Sequence, residues 1–436
     1  MSRKLVCFMW TIVVITAFYI LLTVMTGFSG RKGKVVYMHG IDAFYRDIGM
    51  RGFDRNLLFR EGIGAQGAID EMIFDQSLDK DLQYIPGVDD SVIDQEVKKI
   101  SFKRDDASLI NQSVNVSEKQ QAMLEKIAAE KKLAKQYYQL RNIRINPYDF
   151  KFVETGENIC DTSEIPFLVI LCLTKYYDIE TREAIRESWG SVAKTRQWPL
   201  VRFSIPSVKL VFLLGDPGDS LVKNTIIRDE KNRFGDIVVG GFKDTYSNLT
   251  LKVMMGLKWV TKYCPKAKYV VKIDQDTFLH VVNLIHYLSS TFMQIPKQGV
   301  VIGYQNRAPK VLRTGRWGVE RSRFPMTNYP NYTNGNCYVI SGNAVSNIFE
   351  AAERMPYITV EDAFITGIVR TTLGLGIIHH KGFTQWNDKP PRLCGFHNTA
   401  RIAATNADDD KKRKLWKALG YRNLKNCYNV DTNNAR

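Results

Sequence analysis

The chain has 436 residues, 44% hydrophobic and 24% charged, a balance that excludes a disordered or fibrous protein and leaves room for one large or two ordinary domains. Its net charge of +16 favours anionic partners: nucleotide-sugars, acidic glycans or a membrane surface. Seven cysteines without a CxxC pair exclude a disulfide-dense scaffold.

Residues 1–4 read as a short cytoplasmic tail. Leu5 to Phe28 contains no charged residue, which at helical rise is long enough to cross a bilayer. Val24-Met25-Thr26 makes a poor cleavage site, so the segment is expected to stay as a signal anchor of a single-pass type II protein. Bases lie on both sides of it, Arg3 and Lys4 before and Arg31, Lys32 and Lys34 after, so the basic-loop rule does not orient it. The acceptor sequences at Asn111, Asn115, Asn248 and Asn331 do, if the long part is lumenal. An anchored lumenal body argues against nucleic acid, which the charge alone would allow.

Residues 29–159 read as a stem. The Gly-rich stretch Arg60 to Gly67 is no nucleotide loop, because no strand precedes it and no Lys-Ser/Thr follows. Ser117-Glu118-Lys119-Gln120 resembles a capping box and opens a predicted spacer helix over about 117–142, with Pro147 just beyond.

The lumenal body is placed at 160–436. Phe167-Leu168-Val169-Ile170-Leu171 is an uninterrupted apolar strand, as a sheet covered on both faces requires. Helix 179–189, strand 209–214, helix 223–233, strand 236–239, helix 245–262 and strand 268–273 then alternate. The expected fold is therefore α/β, a mostly parallel sheet with helices on both faces. Cys172 falls in a buried strand, while Cys160, Cys264, Cys337, Cys394 and Cys427 are candidates for bridges, Cys394 with Cys427 among them.

The last of these strands stops on Lys272-Ile273-Asp274-Gln275-Asp276. Ligands of open α/β sheets sit beyond the carboxyl ends of strands. Two acids there suit a hard divalent cation bridging to phosphates; an ordinary turn is the other reading. Asp408-Asp409-Asp410 has the same pattern without a strand, and Lys411 to Lys414 and Gly420 follow. It reads as a solvated helix start. Arg182 and Arg186 share a helix face, suited to a diphosphate or screened by Glu183 and Glu187. Glu361 and Asp362 sit in an apolar segment, where burial would make a better base, or simply begin a helix. The loop from Trp317 to Tyr338 is rich in aromatics, which suit sugar faces as well as a core.

In this order the pieces resemble the β1,3-galactosyltransferase family, inverting GT-A-type enzymes of the Golgi that use UDP-sugars. Four blocks carry the resemblance: Thr181 to Gly190, Phe242 to Lys252, Lys272 to Asp276, and Glu361-Asp362. It implies a Mn²⁺ and UDP site at Asp276 and Asp274, nucleotide contacts from Arg182, Arg186 and Lys272, and Asp362 as base with Glu361 beside it. The implied reaction is inverting transfer of a hexose, galactose above N-acetylglucosamine, to a glycan on glycoprotein or glycolipid at the Golgi membrane. A catalytically weak relative that binds glycans or partner enzymes is the rival reading. The family's metal-binding His is missing between Cys394 and Trp416, leaving Asn406 or His397 as substitutes, and Cys337 stands at a loop position where the family often has Gly. Asn111 and Asn115 are the expected glycan sites, since Asn248 falls in a structural block and Asn331 in the expected acceptor loop.

Overall fold

The computed structural model describes residues 110–421 except 162, 219, 292–295, 386–387 and 398–400. The predicted tail and anchor, most of the stem, and Cys427 lie outside the described residues. Among those described, no helix is long and apolar enough to cross a membrane.

Eight strands form one sheet in the order β1-β4-β3-β2-β5-β8-β7-β9. They are β1 (Phe152–Glu154), β2 (Leu168–Leu173), β3 (Val208–Asp216), β4 (Ile237–Lys243), β5 (Tyr269–Asp274), β7 (Val300–Asn306), β8 (Tyr332–Ser341) and β9 (Gly376–His379). A two-stranded ladder pairs β6 (Phe278–Leu279) with β10 (Ala403–Ala404). The four predicted strands are β2 to β5. They are joined through α2 (Ile179–Glu187), α3 (Leu221–Phe234) and α4 (Leu249–Tyr263), preceded by α1 (Ile110–Tyr137).

The sheet is mixed but mostly parallel, since β7 pairs parallel with β9 and only β8 and β1 run against the other six strands. β4, β3, β2 and β5 run parallel, but β8 is antiparallel to both β5 and β7, and β1 is antiparallel to β4. Period-two alternation explains why β2 is apolar throughout. Leu168, Ile170 and Cys172 face one core layer, with Ile185 of α2. Val169, Leu171 and Leu173 face the other, with Val253 and Leu257 of α4. Both layers are completed downstream, by α5 (Val281–Thr291) and α7 (Asp409–Leu419) on the first face and α6 (Gly342–Ala352) on the second.

The body reaches further back than residue 160. Tyr137 and Tyr148 are buried in the second layer, and β1 adds an edge strand. Helix α1 begins at Ile110, so Ser117 is an interior residue rather than its cap, and Asn111 and Asn115 lie in its first turns. Its C-terminal end docks: the Tyr137 ring meets Phe324 edge-on at 5.1 Å, and Glu130 accepts from the Thr327 N–H at 2.7 Å.

Cys160 and Cys264 form a disulfide across 104 residues of sequence, fastening the start of the body to the end of α4. Closing a loop of that length restricts the unfolded chain, so replacing both cysteines by Ala is expected to cost about 2–5 kcal/mol. Chemical denaturation checks this, and an unchanged midpoint would refute it. Cys394 is also disulfide-bonded. Cys337, a candidate for a bridge, is instead a free, buried thiol, in strand β8 rather than a loop, opposite Ile273.

Candidate active site

Strand β5 carries the predicted acid pair to the carboxyl edge of the parallel strands. Lys272 is 2% exposed, and its ammonium is the hub of this region. It donates to Asp274 Oδ1 at 2.7 Å and to the Gly335 carbonyl, and stands 3.4 Å from Glu361 Oε2. Burial opposes its charge, but Asp274 and Glu361 outweigh that and hold it above the usual lysine range. The hydrogen bonds and ion pairs of Lys272 found among the described residues are all with protein oxygens.

Glu361 is buried and accepts from the Tyr338 hydroxyl of β8. Burial pushes its carboxyl up to about 7, against the pull of Lys272. Asp362 opens a π-helix over Ala363–Val369 and caps it, accepting from the Ala363 N–H at 2.9 Å. The Gly335 N–H also supports its carboxylate. A Cβ on Gly335 would lie 3.0 Å from Asp362 Oδ2, closer than most side chains come, so glycine makes this backbone cradle possible. Burial pushes Asp362 up to about 6, again against Lys272. Thr366 Oγ1 donates to the Asp362 carbonyl at 2.7 Å and accepts from the Thr333 N–H at 3.0 Å, pinning the π-helix to β8. An irregular helix here agrees with the tendency of π-turns to occur at functional sites.

Asp276 stands two residues beyond β5. The protein packed around it and the Asp274 charge push its carboxyl above the ordinary range. Its carbonyl accepts from the Ala407 N–H at 2.8 Å, which brings Asn406 alongside; the Asn406 amide donates to the Asp388 carbonyl at 2.7 Å. His397 does not join them, since its Nε2 lies 3.1 Å from the Ala418 carbonyl of α7. Among the described residues no cluster of three or more His, Cys, Asp or Glu forms a metal centre. Two hard carboxylates one residue apart at a strand end nevertheless fit a cation that completes its shell with phosphates and water.

Arg182 and Arg186, the expected nucleotide contacts, are bound to acids of the fold. Arg182 is 0% exposed and makes a two-point contact with Glu230 of α3, at 2.8 and 2.5 Å. Arg186 grips Asp236 at 2.8 and 2.7 Å and also reaches Glu230 at 2.8 Å. Burial alone would raise the Glu230 carboxyl, but the two guanidiniums hold it below the usual range. The remaining Arg182 donors bind the Lys175 and Tyr176 carbonyls at 2.5 and 3.1 Å. These arginines therefore shape the loop after β2.

That loop lines a cleft which the sequence reading missed. Lys175, Tyr176, Tyr177, Asp216, Pro217, Lys243 and Asp244 surround it, at the carboxyl ends of β2, β3 and β4, where α/β sheets bind nucleotides. Asp244 is fixed by the Gly215 N–H at 3.0 Å and by Lys252 of α4 at 2.6 Å. The signal lay in the Phe242 to Lys252 block, whose Asp and Lys meet across one turn. Lys412 is a second omission. Asp408 does cap α7, accepting from the Lys411 N–H at 2.7 Å, and Gly420 does follow the last turn. Lys412, however, is 1% exposed, paired with Asp409 at 2.9 Å, and its charge draws the Asp276 carboxyl down. Asn248 and Asn331 use their amides internally, toward the Lys243 carbonyl and the Ala308 N–H at 2.8 and 2.9 Å.

A cleft at the ends of β2, β3 and β4, an acid pair at the end of β5 and the buried Glu361 next to Asp362 are the parts that a glycosyltransferase would use. A galactosyltransferase family profile matches residues 180–381. β-1,3-galactosyltransferase 1 of Mus musculus and that of Homo sapiens are each 31% identical over 299 residues, covering 68% of this chain and 87% of theirs. Lactosylceramide 1,3-N-acetyl-β-D-glucosaminyltransferase A of Xenopus laevis is 30% identical over 266 residues, covering 60% of this chain and 68% of that one. The chain belongs to the β1,3-galactosyltransferase family.

Proposed function

We propose that the protein transfers galactose from UDP-galactose, with inversion, to a hydroxyl of a glycan acceptor, forming a β1,3 linkage in the Golgi lumen. The observation that carries this reading is the Lys272 hub. One ammonium joins Asp274 of the acid pair to Glu361, beside Asp362, so both halves of a displacement share one rigid support. Asp362 takes the proton of the acceptor hydroxyl as that oxygen attacks the anomeric carbon and UDP leaves from the opposite face. An acid pushed up to about 6 is ionised near neutral pH yet basic enough to accept a proton. Lys175 and Lys243, lining the cleft, meet the negative charge of the nucleotide.

Asp276 and Asp274, with Asn406 alongside, would hold Mn²⁺. Such a cation, when bound, supplies positive charge against the departing diphosphate. Asp276→Ala is expected to abolish Mn²⁺-dependent UDP binding with little change in thermal stability, since the side chain stands at the rim. Asp408→Ala should leave UDP affinity as it is. Equal UDP affinity in both variants would show that the wrong acids were chosen.

The test of the whole reading is UDP release by the full-length protein from a panel of UDP-sugars, with and without Mn²⁺. UDP-N-acetylglucosamine is the alternative donor, because the Xenopus laevis relative is named for N-acetylglucosaminyl transfer. UDP binding without release from any donor would favour the inactive, glycan-binding relative.

A further inference from the structure

The segment between β7 and β8 is strongly basic. Arg307, Lys310, Arg313, Arg316, Arg321 and Arg323 are set against the single acid Glu320, a net charge of +5 between residues 307 and 323. The segment is ordered. Arg313 clamps it from within, donating to the Val319 and Phe324 carbonyls at 2.9 and 2.7 Å and to that of Met326. Backbone bonds join Val311 to Thr327 and Tyr329 to Pro309, both at 2.9 Å. The other five bases are exposed, and none of them forms an ion pair within the described residues.

Arg316 is held differently from the arginines above. Its guanidinium lies 3.7 Å from the Tyr246 ring centroid and 5.9 Å from that of Trp317. The Trp317 indole N–H donates to the Tyr246 hydroxyl at 2.9 Å. Trp317 is 37% and Tyr246 45% exposed, whereas Phe324, Tyr329 and Tyr338 of the same aromatic-rich stretch are core residues. A guanidinium fixed by π faces, without an acid, keeps its planar fork for a carboxylate or sulfate. Exposed Trp and Tyr beside it offer an amphipathic surface that suits a sugar ring.

The platform also stands at the right place. Tyr246 lies two residues past Asp244 of the cleft. The next residue, Ser247, accepts from the Tyr357 hydroxyl at 3.4 Å, five residues before Asp362. The segment then runs into β8, whose Gly335 cradles the Asp362 carboxylate. The Ser247–Tyr357 contact and β8 thus tie the platform to the elements that carry Asp362.

We propose that the Tyr246–Arg316–Trp317 platform, with the basic segment 307–323 around it, is an acceptor subsite for a glycan bearing carboxylate or sulfate groups. The inference rests on the transferase reading for its biological meaning, but the binding itself needs no turnover. The purified full-length protein is titrated with three matched oligosaccharides: neutral, sulfated, and ending in a hexuronic acid. At low salt an anionic glycan is expected to bind roughly tenfold more tightly than the neutral one, with the advantage shrinking at high salt as exposed charges are screened. A preference confined to one of the two anions supports the proposal and identifies the group. Arg316→Ala and Trp317→Ala should each remove the preference, with thermal shift and UDP affinity as checks on folding. Equal binding of neutral and anionic glycans by the wild type, or a preference that survives Arg316→Ala, overturns the proposal. So does Arg316-dependent binding to phosphatidylserine vesicles without any glycan preference, which would assign the patch to a membrane surface. Absence of transfer from every UDP-sugar would sink the proposed reaction and leave the glycan-binding result to stand by itself.

Discussion

Asp362→Asn is expected to lower the transfer rate by about 10²–10⁴-fold, the usual cost of losing a general base, while UDP affinity stays close to wild type. The substitution keeps the shape and the oxygen that accepts from the Ala363 N–H, so the π-helix cap survives. It removes only the capacity to take a proton. Nucleotide affinity is expected to hold because the cleft after β2, β3 and β4 is built without Asp362. The pH profile gives an independent check. Asp362 works as its anion, so the rate in the wild type should rise with pH through about 6, the value to which burial raises this carboxyl. In the Asn variant that limb should vanish from the residual activity. Undiminished transfer by Asp362→Asn would move the base to Glu361 or elsewhere.

The parallel half of the sheet was legible because β2 to β5 are continuous apolar runs separated by helices of ordinary length. The two strands that run against it, β8 and β1, were not, and β8 shows why. Its first residues, Tyr332-Thr333-Asn334-Gly335-Asn336, have the composition of a loop. Side chains from outside the strand hold some of their polar groups, although Thr333 Oγ1 and Asn336 Oδ1 find no hydrogen-bond partner among the described residues. Thr333 is bound by Thr366, and Asn336 donates to Thr384 at 3.1 Å. β1, only three residues long, is stabilised by pairing with Gly240 and Val239, which no local pattern announces.

The candidate site divides in the same way. The acid pair was visible because a strand end is a local feature. Helical spacing placed Arg182 and Arg186 on one face, yet their partners Glu230 and Asp236 come from α3 and the start of β4, some 44 to 50 residues away. Only the fold brings those carboxylates to them. Lys412 was hidden for the opposite reason. Four consecutive bases read as a solvated face, but the helical turn carries the second of them inward, against Asp409, which Thr181 of α2 also holds at 2.9 Å.

Lys272→Met is expected to damage stability and catalysis together, and to do so separably. The lysine and Glu361 are both buried, and removing one partner of such a pair leaves an uncompensated charge, typically costing about 3–5 kcal/mol. Asp274 is about one-third exposed and can turn to water, so most of the loss should come from Glu361. Burial already raises the Glu361 carboxyl to about 7 against the pull of Lys272, so the deficit should be smallest where Glu361 is protonated, grow as pH rises past 7, and narrow again in strong alkali as the wild-type ammonium is lost. Catalysis should respond through pH. Lys272 holds both Glu361 and Asp362 below the values that burial alone would give, so its removal should move the acid limb of the rate profile above 6. The double variant Lys272→Met/Glu361→Gln discriminates between the two effects. Removing the stranded carboxylate should recover part of the lost stability, because no buried charge then lacks a partner. It should not restore UDP-sugar turnover, because the link between β5 and the π-helix is still gone. If the single variant unfolds at the same denaturant concentration as wild type and keeps its pH profile, the ammonium is not the hub of this site.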